Sequence, residues 1–153
     1  MKLSRNLSLA EVTKSATAKR RGIANEPTIE HLENLKALAE NIFQPIREEF
    51  MCPIFVSSGY RSEELNEAIG GSKTSQHSKG QALDLDADVY GVIDNADIFN
   101  FVLDRLDFDQ LIWEFGTDEN PDWVHVSFNN EGRNRLQVLK AVRKNGKTSY
   151  IAI

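Results

Sequence analysis

Ser75-Gln76-His77-Ser78-Lys79-Gly80-Gln81-Ala82-Leu83-Asp84 is the stretch on which the reading of this chain turns. It runs into a segment, Ala82–Asp88, that alternates strictly, with Leu83 and Leu85 on one side and Asp84, Asp86 and Asp88 on the other. Successive side chains of a strand point to opposite faces, so the pattern predicts a half-buried strand presenting Asp84 on a polar face. His77 precedes that strand in a polar loop. A second alternating segment, Trp123–Phe128, sets Val124, Val126 and Phe128 opposite Trp123, His125 and Ser127. It predicts another strand with His125 on its polar face. Two imidazoles and a carboxylate brought together from these segments would supply three ligands for a divalent metal. Three protein ligands plus an open position is the pattern of a catalytic zinc site, whereas structural sites close with four and favour cysteine. Cys52 is the only cysteine, which excludes a Cys-rich site and an internal disulfide and predicts a reducing compartment. From the residues alone a plainer alternative stays open: His77 as a solvated loop residue and His125 as a hydrogen-bonded core histidine.

The flanking sequence predicts what carries these segments. Ile29, Leu32, Leu35, Leu38, Ile42 and Ile46 recur at three- and four-residue intervals and make one apolar helical stripe. Pro27 suits the first turn of that helix, and Pro45 is expected to bend or shorten its last turn. Ile54–Ser58 reads as a short strand ending at Gly59. Ser62 is placed to cap a short helix that Gly70-Gly71 ends. Asn95–Leu106 reads as a second amphipathic helix, and the apolar run Phe108–Phe115 as a central, buried strand. Leu136–Val142 and Ser149–Ile153 flank Asn145-Gly146, a hairpin-turn dipeptide. Residues 1–25 show no period and are expected to form an arm that packs on the domain without building its core. The order predicts an α+β fold: a small, mostly antiparallel sheet with flanking helices.

Bulk properties narrow the function. The 153 residues, 41% hydrophobic and 27% charged, match one globular domain spanning 1–153, which at this size buries roughly 70% of its unfolded surface. No apolar run approaches the ~18 residues a membrane span requires. The N-terminus lacks the apolar core of a secretory signal, so the chain is expected to be cytoplasmic on synthesis. Eighteen basic against 23 acidic residues give a net charge of −5, which argues against a nucleic-acid partner. The local Lys19-Arg20-Arg21 cluster is read as part of a solvated arm.

The Ser-x-His-x-x-Gly-x-Ala-x-Asp spacing of residues 75–84, followed by Trp123-Val124-His125, resembles the M15 family of zinc peptidases. That family includes D-alanyl-D-alanine carboxypeptidases and phage endolysins, and its fold is shared with the hedgehog signalling domain. Ser58-Gly59-Tyr60-Arg61, Asn66, Gly70-Gly71 and Asp109-Gln110 are similar to the phage-associated branch. The resemblance covers roughly residues 27–150, and the N-terminal arm is expected to belong to the same branch. The resemblance implies Zn2+ held by His77, Asp84 and His125, and hydrolysis of peptidoglycan stem peptides or D-alanyl peptides. If the chain acts on the wall, the missing secretory signal implies export by another route, such as a holin or a virion.

Two carboxylates compete for the role of general base. Asp122 lies three residues before His125, where many M15 enzymes carry an acid, but it follows Asn120-Pro121 in what reads as a solvated turn. Glu114 lies between Trp113 and Phe115, where desolvation raises a carboxyl pKa toward the working pH. Glu114 ranks first and Asp122 second. By the resemblance Arg61 looks toward the site, to bind a substrate carboxylate or stabilise an oxyanion. Ser75 and Gln76 are expected either to orient His77 or the substrate, or to serve the loop. Trp113 and Trp123 could wall the cleft, with a core role the first expectation for each; Asp86 and Asp88 are expected as solvated strand-end carboxylates, and His31 as exposed. Two rivals remain: a non-catalytic zinc module of a virion, and a non-haem iron oxygenase. Iron sites of that kind usually space their first histidine and carboxylate two residues apart, against seven here.

Overall fold

The structure, a computed structural model, describes residues 1–153. It opens with a two-strand ribbon, β1 (Lys2–Ser4) and β2 (Leu7–Ser8), followed by α1 (Leu9–Thr13) and α2 (Ala16–Arg21). Ser8 caps α1 in a reciprocal capping box with Glu11. Leu3, Leu7 and Val12 are buried in the main hydrophobic core. This corrects the expectation that residues 1–25 stay outside it. Three apolar side chains spread over ten residues show no period, but the ribbon and the short helix turn all three the same way.

The apolar stripe forms α3 (Ile29–Leu38), a π-helical turn (Ala39–Phe43) and α4 (Gln44–Phe50). Thr28 caps α3 by accepting from the His31 N–H, so Pro27 lies before the cap rather than in the first turn as expected, and Ile29 stays 81% exposed at the helix start. Pro45 does not end the helix. A proline ring clashes with the carbonyl four residues back; here the preceding turn is widened by one residue, with the Gln44 N–H reaching Ala39 O. Leu35, Leu38, Ile42, Phe43 and Ile46 are all buried by this arrangement.

The remaining elements are β3 (Phe55–Ser58), α5 (Glu63–Ala68), a 3-10 turn (Gln76–Lys79), β4 (Ala82–Asp86), α6 (Asn95–Arg105), β5 (Gln110–Glu114), β6 (Trp123–Ser127), β7 (Gln137–Lys144) and β8 (Lys147–Ala152). Ser62 caps α5 as expected. Six strands form one sheet in the order β3-β4-β6-β5-β7-β8. Every neighbouring pair is antiparallel except β5 with β7. The fold is α+β, as the pattern predicts. Strand β4 stops at Asp86, because that side chain accepts from the Asp88 N–H and starts a second 3-10 turn, Ala87–Val89. Asp88 therefore lies beyond the strand rather than on its face.

One face of the sheet carries Leu83, Leu85, Leu111, Trp113, Val124 and Val126, which are buried in the same core as Ile98, Phe99 and Val102 of α6 and the α3–α4 stripe. The other face carries the polar alternation. Asp84 pairs with His125, His125 with Ile112, and Glu114 with Trp123, so Asp84, His125 and Glu114 share that second face. The helices cover one side and leave the other as an open cleft.

Candidate metal centre and cleft

A cleft of about 1110 Å³ lies over the polar face of the sheet, and Arg61, His77, Asp84, Glu114, Trp123 and His125 are among its lining residues. Asp84 stands on β4 and His125 directly opposite on β6, which brings His125 Nδ1 to 3.1 Å from Asp84 Oδ1. His77 comes from the 3-10 turn, and its Nε2 lies 3.4 Å from the same oxygen. The two imidazoles meet edge to face with centroids 5.2 Å apart. One nitrogen or oxygen atom from each of the three residues falls within 4.8 Å of the others.

The histidine in the loop is held by backbone. Its Nδ1 lies 2.8 Å from Gly59 O, and a carbonyl only accepts, so Nδ1 carries the proton and Nε2 presents its lone pair to Asp84. A lone pair facing a carboxylate oxygen at this distance is satisfied only by a cation between them, a proton or a metal. His125 Nε2 is buried and has no protein partner, so this ring too has unspent capacity. Burial by itself would raise the Asp84 pKa, but His77 and His125 beside it outweigh that and hold the carboxyl well below the usual range. An ionised carboxylate and two imidazole nitrogens form a donor set that suits zinc, and the residues present fit such an ion.

The turn carrying His77 is pinned from several sides. Ser75 Oγ accepts from the His77 N–H and from the Arg61 guanidinium, each at 3.3 Å. Gln76 donates to Asp109 Oδ2 at 2.8 Å, and Arg135 holds Asp109 with two further charge-assisted bonds. That pair holds the Asp109 carboxyl below its ordinary pKa, against the opposing effect of burial. Asn34 donates to Lys79 O from α3. Ser75 and Gln76 thus orient the turn, one of the roles expected of them.

Glu114 is 6% exposed and makes no side-chain hydrogen bond. Burial, and then repulsion from Asp84, push its carboxyl up to about 7, with His125 opposing. Asp122 is placed differently. It is exposed just before β6 and lines an adjoining depression with Gly116 and Lys140, which meets the cleft at Phe115, Trp123 and Arg143, without itself lining the cleft. Arg61 lies in the cleft wall with its Nε buried and unpartnered. Burial lowers its pKa, and the nearby Asp84 charge opposes this.

Other expectations divide. Trp113 is a core residue whose indole donates to Thr117 O, whereas Trp123 lines the cleft and packs on Phe115. Asp86 and Asp88 stay out of the metal group and accept from Asn95 instead. His31 is half-buried, not exposed, because its ring nitrogen pairs with the Tyr60 hydroxyl at 3.1 Å. Sequence reasoning missed the Gly59 carbonyl as the partner of His77, and a backbone oxygen leaves no residue-type signal. It also missed Tyr150, which lines the cleft from β8.

No curated protein matches the chain. The family model described as Peptidase M15 matches residues 5–127. The match begins just after β1, takes in β2 and the two N-terminal helices, as expected of the arm, and ends at β6, before the C-terminal hairpin. It covers well over half of the sequence and contains the converging His77, Asp84 and His125. The chain belongs to the peptidase M15 family.

Proposed function

We propose that this chain is a zinc-dependent peptidase that hydrolyses peptide bonds in the stem peptides of bacterial peptidoglycan. The observation that carries the reading is a His-Asp-His donor set on the floor of an open polar cleft, with a buried, unpartnered carboxylate on the same sheet face. His77, Asp84 and His125 would hold the ion, which when bound supplies Lewis acidity toward a carbonyl oxygen and acidifies water. Glu114 accepts the proton of the attacking water and returns it to the leaving amine, work suited to a carboxyl whose pKa lies near 7. Arg61 lines the cleft with its guanidinium and binds a substrate carboxylate or the developing oxyanion. Trp123 walls the cleft. Asp122, outside the cleft, has no part in the chemistry.

The substrate class rests on family membership; the phage-associated setting, with passage to the wall through a holin or within a virion, rests only on the likeness of Ser58-Gly59-Tyr60-Arg61, Asn66, Gly70-Gly71 and Asp109-Gln110 to that branch. The test is digestion of purified peptidoglycan, and of synthetic stem peptides ending in D-alanyl-D-alanine, by the zinc-loaded protein with mass analysis of the products. Release of D-alanine or of a defined stem fragment supports the proposal and names the bond. Intact substrates after prolonged digestion would favour the non-catalytic zinc module instead.

A further inference from the structure

The C-terminal hairpin β7–β8 lies outside the residues matched to the family, yet it builds one wall of the cleft through Leu139, Arg143, Thr148 and Tyr150. Its register fixes what it brings there. Glu114 on β5 pairs with Ala141 on β7, and Ala141 pairs with Tyr150 on β8. The three residues therefore form one row across adjacent strands, with side chains on the same face. Neighbouring strands lie ~4.8 Å apart, so the Cα atoms of Tyr150 and Glu114 are separated by roughly 10 Å. A tyrosine side chain spans most of that distance, and Ala141, fully buried beneath it, adds only a methyl group to the space between. The Tyr150 phenol forms no hydrogen bond within the protein and is 56% exposed to the cleft side. Burial, and then the Glu114 and Asp84 charges, raise its pKa, so the hydroxyl stays protonated as a donor.

Resting on the peptidase reading above, we propose that Tyr150 is a substrate-contacting residue of this cleft, donating a hydrogen bond from its phenol to the peptide bound over Glu114. It would work from the wall opposite Arg61, which reaches the cleft from the loop after β3. A bound peptide would be gripped between a cation on one side and a neutral donor on the other. Loss of one such neutral bond typically costs about tenfold.

The test compares wild type, Tyr150→Phe and Ser149→Ala. Ser149 pairs with Val142, so it faces away from the cleft, and its variant controls for disturbance of the hairpin. Two readouts are taken on a synthetic stem peptide ending in D-alanyl-D-alanine: affinity, by quenching of tryptophan fluorescence, and hydrolysis rate across pH. Tyr150→Phe is expected to lose about tenfold in kcat/KM and to bind more weakly, with unchanged zinc content and an unmoved acid limb. Ser149→Ala should behave as wild type. Equal affinity and rate in Tyr150→Phe would overturn the proposal, and so would a shifted acid limb, which would make Tyr150 a positioning residue for Glu114. Weaker binding by Tyr150→Phe alongside a wild type that hydrolyses nothing would uphold the contact and sink the peptidase reading. Absence of binding by the wild type would sink both.

Discussion

Glu114 shows how one residue's surroundings select its chemistry. A buried carboxylate without a hydrogen-bond donor holds its proton, and its pKa of about 7 lies above the 4.5 of an exposed glutamate. The folded state of the metal-free chain therefore binds this proton more tightly than the unfolded state does. Its contribution to stability is complete below about pH 4.5 and is lost as pH rises through about 7. In the metal-free protein at pH 8, Glu114→Gln should raise stability by on the order of 1–3 kcal/mol, measured by chemical denaturation. In the zinc-loaded enzyme the same change should leave metal content intact and lower hydrolysis by at least ~10²-fold, the scale of losing a positioned base. Asp122→Asn should retain the wild-type rate, because Asp122 lies outside the cleft. The opposite pair of results would move the base to Asp122. Both candidates were legible as carboxylates flanking the second strand; ranking them needed only the apolar neighbours Trp113 and Phe115 against the Asn120-Pro121 turn.

At the scale of elements, the N-terminal segment and the site are joined through a single glycine. Gly59 O orients His77, and the residue is packed so closely against α1 that an added Cβ would overlap Val12 O. The neighbouring Tyr60 N–H donates to that same Val12 carbonyl at 2.7 Å. Gly59→Ala should therefore displace either α1 or the carbonyl that sets the His77 tautomer. A loss of about 10-fold or more in zinc affinity is expected, the usual effect of disturbing the partner of a metal-binding histidine. Competition with a chromophoric chelator measures it, and an unchanged affinity would remove Gly59 from the account. Leu7, 1% exposed within the shared core, gives the complementary case. Leu7→Ala should cost about 2–4 kcal/mol in denaturant titrations, whereas a loose arm would make the change nearly silent. None of this was legible in residues 1–25, where the apolar side chains follow a ribbon-and-helix path too short to show a period.

For the molecule as a whole, legibility follows periodicity. The alternations in Ala82–Asp86 and Trp123–Ser127 announced both the strands and the faces of Asp84 and His125, because one buried face forces a two-residue repeat. Asn145-Gly146 announced the final hairpin, and both residues adopt the positive φ that its turn requires. The pairing of β7 with β5 is parallel and long-range, and no local pattern encodes it. Tyr150 stayed hidden for that reason: its place over the cleft depends on a register set two strands away. The helix widening before Pro45 was equally invisible, since the apolar stripe reads the same with or without the extra residue. The proposed function stands on His77, Asp84 and His125, brought together from two strands and a turn of the fold, holding one zinc ion. Metal binding of that kind is coupled to folding, so chelation should lower the melting temperature of the wild type and leave a ligand variant unmoved. The most direct measurement is elemental analysis of wild type and His125→Ala after equilibration with zinc and removal of the excess. One zinc per wild-type chain and essentially none in the folded variant are expected; stoichiometric zinc in His125→Ala, or none in the wild type, would contradict the His-Asp-His site.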